Sequence, residues 1–157
     1  LQLLEEMMDA DIEPNVLTFN TAIAVNRENL PVVTELLKGM RCKKLSPDVI
    51  SYNSAISACE KHGCWELAVL LLACMSQKDV TVDVITYNSA IRACEKGGRW
   101  EVALELLDHM DIKRLQADVI SLNSVFLACY QCGQWHSALD FLYLMGWYGC
   151  RDGTRLA

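Results

Sequence analysis

Apolar and polar positions along the chain recur at a fixed interval. The segment Asp83–Ala103 reads DVITYNSAIRACEKGGRWEVA, with close counterparts at Asp48–Ala68 and Asp118–Ala138, so the interval is 35 residues. A poorer copy starts at Asn15, ends at Met40 and is two residues shorter. Self-similarity at such a period is typical of stacked supersecondary units that cannot bury their apolar faces alone. The pattern therefore predicts a repeat protein rather than a domain with one central core.

Each unit predicts two helices, and the first runs from about Val49 to Lys61 and over the equivalent positions 84–96 and 119–131. Ile50, Ile56 and Cys59 lie in an apolar stripe along it, and we expect the isoleucines in the core. An Asp or Asn before each first helix is a predicted N-cap, and a glycine is predicted to end the helix. The caps are Asn15, Asp48, Asp83 and Asp118, and the glycines are Gly63, Gly98 and Gly133.

The second helix of a unit runs from Trp65 to about Met75, with Ala68, Val69 and Leu72 on its core-facing side. The chain is therefore predicted to be all-α, an α-solenoid of helix-turn-helix repeats. We expect a second-helix remnant at 1–15, repeats at 16–48, 49–83, 84–118 and 119–153, and a tail at 154–157. With that remnant and no initiating Met, the chain is expected to be cut from a longer protein, with any targeting segment outside it.

Composition narrows the classes of function. Apolar residues make up 52% of the chain and the mean hydropathy is +0.16, which fits helices covered by neighbours. No apolar run is long enough to cross a bilayer, so no membrane partner is expected. The net charge of −6 and pI near 5.0 are opposite to the usual basic footprint of a nucleic-acid binder. Cys59, Cys94 and Cys129 occupy one place in successive repeats and are interpreted as reduced, buried small residues.

Metal and catalytic chemistry were weighed against the repeat. Cys129, Cys132 and His136 read C-x2-C-x3-H, and Cys59, His62 and Cys64 also cluster in sequence. The equivalent turn of the third unit offers only Cys94, and zinc needs a fourth ligand, so we expect no metal and no cofactor. Neither a Gly-rich phosphate loop nor a nucleophile–base arrangement stands out, so no enzymatic activity is expected unless a catalytic domain lies outside this chain.

The VxTYNxxI-like start, the Gly at the turn, the Ala early in the second helix and the Met at its end resemble the pentatricopeptide repeat family over essentially the whole chain. The W-x2-L-G-x2-Y signature of the tetratricopeptide repeat is absent. The resemblance implies a right-handed superhelix that binds single-stranded RNA selectively, about one base per repeat. It also implies a role in organellar RNA processing, stability or translation, in a mitochondrion or plastid.

The family's base-reading residues, carried over to this chain, are Asn20 with Asp48, Asn53 with Asp83, Asn88 with Asp118, and Asn123, whose partner column holds Gly153 beside Asp152. In the family, Asn with Asp favours uridine, so the implied partner is a U-rich strand. The column whose side chains sandwich the bases holds Leu17, Ile50, Ile85 and Ile120. The phosphate-contacting column holds Lys61 and Lys96, and Gln131 in the last repeat, where the contact is expected to be weaker or absent.

Structural interpretations stand beside these roles. Each Asp is also explained by N-capping, the Asn column by a hydrogen bond between repeats, and Trp65, Trp100 and Trp135 by packing. The alternative function is a protein-interaction scaffold that holds a peptide on its concave face, with possible protein partners through the outer helices. The acidic pI supports that alternative. Replacing Asn88 by Thr would separate the two, because the family pattern then predicts a shift from U toward G at one nucleotide.

Overall fold

Helices follow one another along the described part of the chain, which in this computed structural model comprises residues 13–134, 136–140 and 143. The helices are α1 (Val16–Val25), α2 (Leu30–Cys42), α3 (Val49–His62), α4 (Trp65–Gln77), α5 (Val84–Lys96), α6 (Trp100–Ile112) and α7 (Val119–Gln131). Residues 136–140 are also helical. The predicted helices of the three complete units are confirmed to within two residues wherever the structure describes them.

The four first helices begin as the sequence predicts. The Asp48 carboxylate accepts a hydrogen bond from the Ser51 backbone N–H at 2.9 Å, and Asn15, Asp83 and Asp118 cap α1, α5 and α7 in the same way. Such bonds satisfy backbone N–H groups that have no partner inside the helix. The predicted glycines then turn the chain at positive φ, with values of 63° at Gly63, 66° at Gly98 and 70° at Gly133.

The odd-numbered helices lie side by side, and each even-numbered helix packs against the helices before and after it. α3 contacts α1 and α5, and α5 contacts α7, whereas α2, α4 and α6 each touch their two sequence neighbours. The core lies between these two layers and repeats its composition. Ile23, Ile56 and Ile91 are fully buried in the first layer, and Met40, Met75 and Met110 are fully buried in the second. This is the predicted α-solenoid.

One expectation about the core is wrong. Ile50 and Ile85 are 60% and 68% exposed, whereas Ile56 and Ile91 in the same helices have no exposed surface. A residue turns about 100° around an α-helix, so six residues separate the two side chains by about 120°. The apolar stripe therefore contains only the second isoleucine of each helix, and the first isoleucine lies on a different face.

Repeat 1 is two residues shorter than the next repeat, and the difference lies in its first helix and the turn that follows it. α1 has 10 residues against 14 in α3, and the turn before α2 has four residues, 26–29, against two, 63–64, before α4. Pro31 lies in the first turn of α2, where its missing N–H is tolerated. The distance in sequence from Met40 to Asp48 equals that from Met75 to Asp83, so the junction with the next repeat keeps its register.

Trp65 links the inner turns of two successive repeats. Its ring lies 4.8 Å from the Arg99 guanidinium carbon, and a Cβ on Gly97 would lie 2.7 Å from its Cδ1 atom. Trp65 and Trp100 are half-buried against the core, as the packing interpretation requires, while Trp135 lies outside the described residues.

Cys59, Cys94 and Cys129 are free and buried, and burial raises the thiol pKa of Cys59 and Cys94 to about 12. The helices described here include none long and apolar enough to cross a membrane.

Candidate nucleic-acid interface

The structure joins two of the predicted base-reading pairs by direct hydrogen bonds. Asn20 Nδ2 donates to Asp48 Oδ1 at 3.0 Å and to Asp48 Oδ2 at 3.2 Å. Asn88 Nδ2 donates to both carboxylate oxygens of Asp118 at 3.1 Å. Each Asp is at the same time the N-cap of the next first helix, so the pair connects two consecutive repeats. The structural interpretation of the Asn column, a hydrogen bond between repeats, is borne out for these two residues by the bond that each accepts from a serine of the next repeat.

A serine hydroxyl completes each of these pairs, and sequence reasoning did not include it. Ser51 Oγ donates to Asn20 Oδ1 at 2.5 Å, and Ser121 Oγ donates to Asn88 Oδ1. Both serines are fully buried and accept a hydrogen bond from the backbone N–H of the capping Asp, which forms a capping box. A small hydroxyl residue three positions after each Asp is visible in the sequence and is the signal that points to this role.

The pair Asn53 and Asp83 is arranged differently. The hydroxyl residue here is Thr86, whose Oγ1 lies 2.7 Å from Asn53 Oδ1 and 2.6 Å from Asp83 Oδ1. Over residues 13–134 the structure shows no hydrogen bond between Asn53 and Asp83, and none from the Asp83 N–H to Thr86. The cap itself is intact, because the Thr86 N–H donates to Asp83 at 2.8 Å.

The charge on Asp48 and Asp118 is stabilised by these neighbours. Partial burial on its own would raise the pKa of each carboxyl group. Hydrogen bonds from the backbone and hydroxyl of Ser51 or Ser121, and from the Asn amide, more than offset this effect and hold the pKa below its ordinary value. The two carboxylates are therefore ionised at neutral pH and can only accept hydrogen bonds.

The fourth Asn has no such surroundings in the described residues. Asn123 is exposed, whereas Asn20 and Asn88 are 5% and 8% exposed. Those two are covered by the first helix of the next repeat, which supplies the serine. The partner column proposed for Asn123, residues 152 and 153, lies outside the described part of the chain.

An exposed row of aliphatic side chains accompanies the Asn column. Leu17, Ile50, Ile85 and Ile120 are 71%, 60%, 68% and 48% exposed. Each precedes an Asn of the same helix by three residues, a spacing that places both side chains on one face. Large aliphatic groups repeated along one surface are an unusual use of solvent-facing positions, and they offer flat apolar contact at regular intervals.

The two lysines of the predicted phosphate column differ in their partners. Lys61 Nζ forms an ion pair with Glu28 at the end of the preceding hairpin turn. Among the residues that the structure describes, Lys96 is exposed and takes part in no ion pair. The nearby Arg92 pairs with Glu60 at 3.3 Å.

The described side chains also include no group of three His, Cys, Asp or Glu residues placed to hold a metal ion.

Family profiles match the chain from residue 2 to residue 150. The PPR repeat family matches residues 47–96 and 82–131, the pentatricopeptide repeat domain matches residues 2–62, and the PPR repeat matches residues 120–150. The chain belongs to the pentatricopeptide repeat family. The resemblance inferred from the sequence is therefore confirmed. Among curated proteins, none matches the chain.

Solved structures of pentatricopeptide repeat proteins share this fold. The pentatricopeptide repeat protein PPR10 from maize superposes with a TM-score of 0.80 at 19% identity over 90% of this chain, and its complex with an 18-nt psaJ RNA element with 0.76 at 21% identity over 93%. The PPR domain of Arabidopsis thaliana protein-only RNase P 1, in complex with tRNA, gives 0.79 at 15% identity over 99% of this chain and 81% of that domain. The chain spans about a fifth of the length of the maize protein, 21% or 22% in the two structures. These similarities confirm the α-solenoid.

Proposed function

We propose that this chain binds single-stranded RNA, about one base per repeat, on the surface that carries the Asn column and the exposed aliphatic row. The observation that carries the proposal is the position of the two hydrogen-bonded Asn–Asp pairs beside large aliphatic side chains that leave about half or more of their surface open. Membership of the pentatricopeptide repeat family supports it, as do the RNA-bound solved structures of similar fold. The predicted repeats 16–48, 49–83, 84–118 and 119–153 would be the reading units.

We further propose that the Asn–Asp pairs favour uridine. The side-chain amide nitrogen of Asn88 carries two hydrogen atoms. It donates one of them to the Asp118 carboxylate, and the second remains available to the base. Uracil presents an N3–H donor between two carbonyl oxygens, whereas cytosine presents an acceptor at N3. The free Asn N–H can therefore donate to a carbonyl oxygen of uracil, while the neighbouring Asp carboxylate accepts from uracil N3–H. The capping bond to Asp118 uses another lone pair and does not compete with this role.

Contact with the aliphatic row would supply most of the binding energy. Stacking on aromatic side chains contributes roughly 1–3 kcal/mol per base, and aliphatic contact belongs at or below the lower end. With three or four bases and the entropic cost of ordering a flexible strand, we expect a Kd that is micromolar or weaker. The net charge of −6 acts in the same direction, because phosphate neutralisation supplies much of the affinity in such complexes.

The proposal is tested by fluorescence anisotropy of labelled U-rich, A-rich and C-rich RNA oligomers, at low and at physiological salt. We expect the tightest binding to the U-rich strand, and we expect this preference to persist as salt weakens all three. Equal affinity for the three strands would refute base reading by these pairs. Absence of binding to every strand at low salt would refute RNA binding by this chain.

The acidic pI of about 5.0 favours a second candidate, a helical scaffold that binds a basic peptide. Its partners could also contact the outer helices α2, α4 and α6. Competition separates the two candidates, because a U-rich strand and a peptide bound to the surface that carries the Asn column would displace one another. If a basic peptide binds and no RNA competes with it, the scaffold is the better account.

A role in mitochondrial or plastid RNA processing, stability or translation is proposed from family membership.

A further inference from the structure

We infer that the hydroxyl residue three positions after each Asp is a positioning residue for base reading, and that its identity sets the state of the Asn. Serine at this position, as in Ser51 and Ser121, holds the Asn amide against the Asp before RNA arrives. Threonine, as in Thr86, leaves the amide of Asn53 without that attachment. This inference deepens the proposed function and rests on it for its consequence in RNA binding. Its structural part concerns the protein without RNA.

In the repeats that carry serine, the side-chain amide of the Asn is held at both ends. Ser51 Oγ is closer to Asn20 Oδ1, at 2.5 Å, than to Asp48 Oδ1, at 2.9 Å. The Ser51 hydroxyl therefore has two acceptors within reach, and the Asn20 oxygen is the nearer one. The ionised carboxylate cannot face an amide oxygen, so Nδ2 must point to Asp48 and Oδ1 to Ser51. Both ends of the amide are fixed, and one Nδ2 hydrogen is left over.

The threonine repeat lacks this arrangement. Thr86 Oγ1 also has both acceptors within reach, but their order is reversed, with Asp83 Oδ1 at 2.6 Å and Asn53 Oδ1 at 2.7 Å. The β-branched side chain also has fewer accessible χ1 rotamers in a helix than serine has. Asn53 is half-buried rather than buried, and the described structure gives its Nδ2 no bond to Asp83. Its amide orientation is therefore set by one shared contact.

The capping bond accepted by the Asp does not explain the difference. The bond from the backbone N–H of the hydroxyl residue to the capping Asp has nearly the same length in all three repeats, 2.9 Å for Ser51, 2.8 Å for Thr86 and 2.9 Å for Ser121. Two other bonds change together: the bond from the Asn amide to the Asp and the bond from the Asp N–H to the hydroxyl are both present in the serine repeats. A purely structural hydroxyl would leave the Asn amide in the same state in all of them.

The consequence for RNA follows from preorganisation. A held amide offers its free N–H in a fixed direction and loses little freedom on binding, whereas a free amide can rotate and offer its oxygen to another base. We therefore expect the repeats of Asn20 and Asn88 to discriminate uridine from cytidine more strongly than the repeat of Asn53. The difference should be about tenfold at most, the equivalent of one net hydrogen bond.

The first experiment uses the protein without RNA. The side-chain amide signals of Asn20, Asn53 and Asn88 are assigned by NMR, and their hydrogen exchange is measured in the wild type and in Thr86→Ser and Ser121→Thr. We expect exchange at Asn53 to be several-fold faster than at Asn20, up to about tenfold, and to slow in Thr86→Ser. The reciprocal variant should speed exchange at Asn88 and leave Asn20 unchanged.

Controls guard against an effect of side-chain volume. Thr86→Val keeps the shape of the side chain and removes the hydroxyl, so hydrogen exchange at the Asn53 amide should not slow. Ser121→Ala is the second control, in case the threonine of Ser121→Thr is too large for this buried site. It removes the hydroxyl, so exchange at the Asn88 amide should become faster. Asn53 exchange that stays the same in Thr86→Ser would overturn the inference. So would an Asn88 amide that is unaffected by both changes at Ser121.

The second experiment measures base preference. Affinities for oligomers with a single U-to-C change at successive positions are compared between the wild type and Thr86→Ser. We expect the U over C ratio to rise severalfold at the nucleotide read by Asn53 and at no other. If amide exchange responds to the substitution but this ratio does not, the residue has no part in specificity and the inference fails. If the wild type distinguishes no base anywhere, the proposed function fails, while amide exchange still decides the positioning claim.

Discussion

Asn88 in α5 is hydrogen-bonded through Nδ2 to both carboxylate oxygens of Asp118, the residue that caps α7, at 3.1 Å. The two residues are 30 positions apart, at the two ends of repeat 3, and Asp118 is followed directly by the first helix of repeat 4. Asp118 therefore serves in two ways, as the start signal of a helix and as the partner that orients the side chain proposed to read a base. Substitutions of either residue must separate these roles.

Asn88→Thr is expected to change base preference at one nucleotide from U toward G, as the family pattern implies. The hydroxyl of Thr is shorter than the amide and can donate one hydrogen bond, so the edge it contacts differs. Anisotropy with oligomers that differ at a single position measures the change. An Asn88→Thr protein that loses stability and keeps its uridine preference would contradict this assignment, and a circular dichroism melt of the same variant distinguishes the two effects.

Ile85→Ala is expected to weaken RNA binding severalfold and to change the free energy of unfolding by less than about 0.5 kcal/mol, because Ile85 is mostly exposed. Ile91→Ala in the same helix is the matched comparison. Its side chain is fully buried, so its truncation should cost about 2–5 kcal/mol of stability. Urea unfolding and anisotropy on both variants measure the contrast. Equal stability losses would show that Ile85 belongs to the core after all.

Lys96→Gln is expected to reduce the slope of log affinity against log salt by about 0.7, the value for one phosphate contact with a single strand. Lys61→Gln should reduce it less, because Lys61 is already paired with Glu28. The complementary variant Glu28→Gln frees that lysine and should tighten binding at low salt. Slopes that are unchanged in both lysine variants would remove these residues from the phosphate contacts.

Gly97→Ala is expected to destabilise the protein by about 1–3 kcal/mol, because the new Cβ would lie 2.7 Å from Trp65 Cδ1 and 2.8 Å from the Gly63 carbonyl oxygen. The backbone of Gly97 is ordinary, so the cost is steric. Gly133→Ala isolates the cost of backbone conformation, because its φ is 70° and no atom of the described residues lies within 4 Å of the added Cβ. That variant should lose about 1 kcal/mol. Urea unfolding of both variants measures the two contributions.

Acid should weaken the junctions that contain Asp48 and Asp118. Their pKa values are lowered in the folded protein, so their contribution is complete above the ordinary value of 3.8 and is lost as the pH falls below it. The double variant Asp48→Asn/Asp118→Asn keeps good N-caps and removes the charge. Its melting temperature should be lower than that of the wild type at neutral pH and should fall less between about pH 5 and about pH 3. Parallel curves would show that these carboxylates contribute no pH-dependent stability.

The fold was predictable because its signals are local and repeated. An Asp before each first helix and a Gly after it define the hairpins through capping and positive φ, and both operate within a few residues. The exposure of Ile50 was predicted incorrectly, because an isoleucine in an apolar stripe is ordinarily buried and its face depends on where the neighbouring helices pack. The resemblance assigned it to base contact, which is compatible with the exposure observed.

The candidate site was predictable in its residues and not in its bonds. The Asn and Asp columns are visible in the sequence, but the hydroxyl of Ser51 joins them only across the junction, 31 residues from Asn20. The ion pair between Lys61 and Glu28 likewise joins exposed side chains 33 residues apart. Such contacts depend on the angle between repeats, which no local pattern encodes.

The junction network also limits how this solenoid can be recombined. Asn53 and Asp83 come from one repeat and the hydroxyl that contacts them, Thr86, comes from the next. A chimera joined at the boundary between Asp83 and Val84 would combine the Asn and Asp of one parent with the hydroxyl residue of another. A cassette cut at Tyr87, between Thr86 and Asn88 in α5, would transfer all three residues of a network together. For modular assembly of such proteins, the transferable unit is therefore offset from the repeat and begins inside a helix.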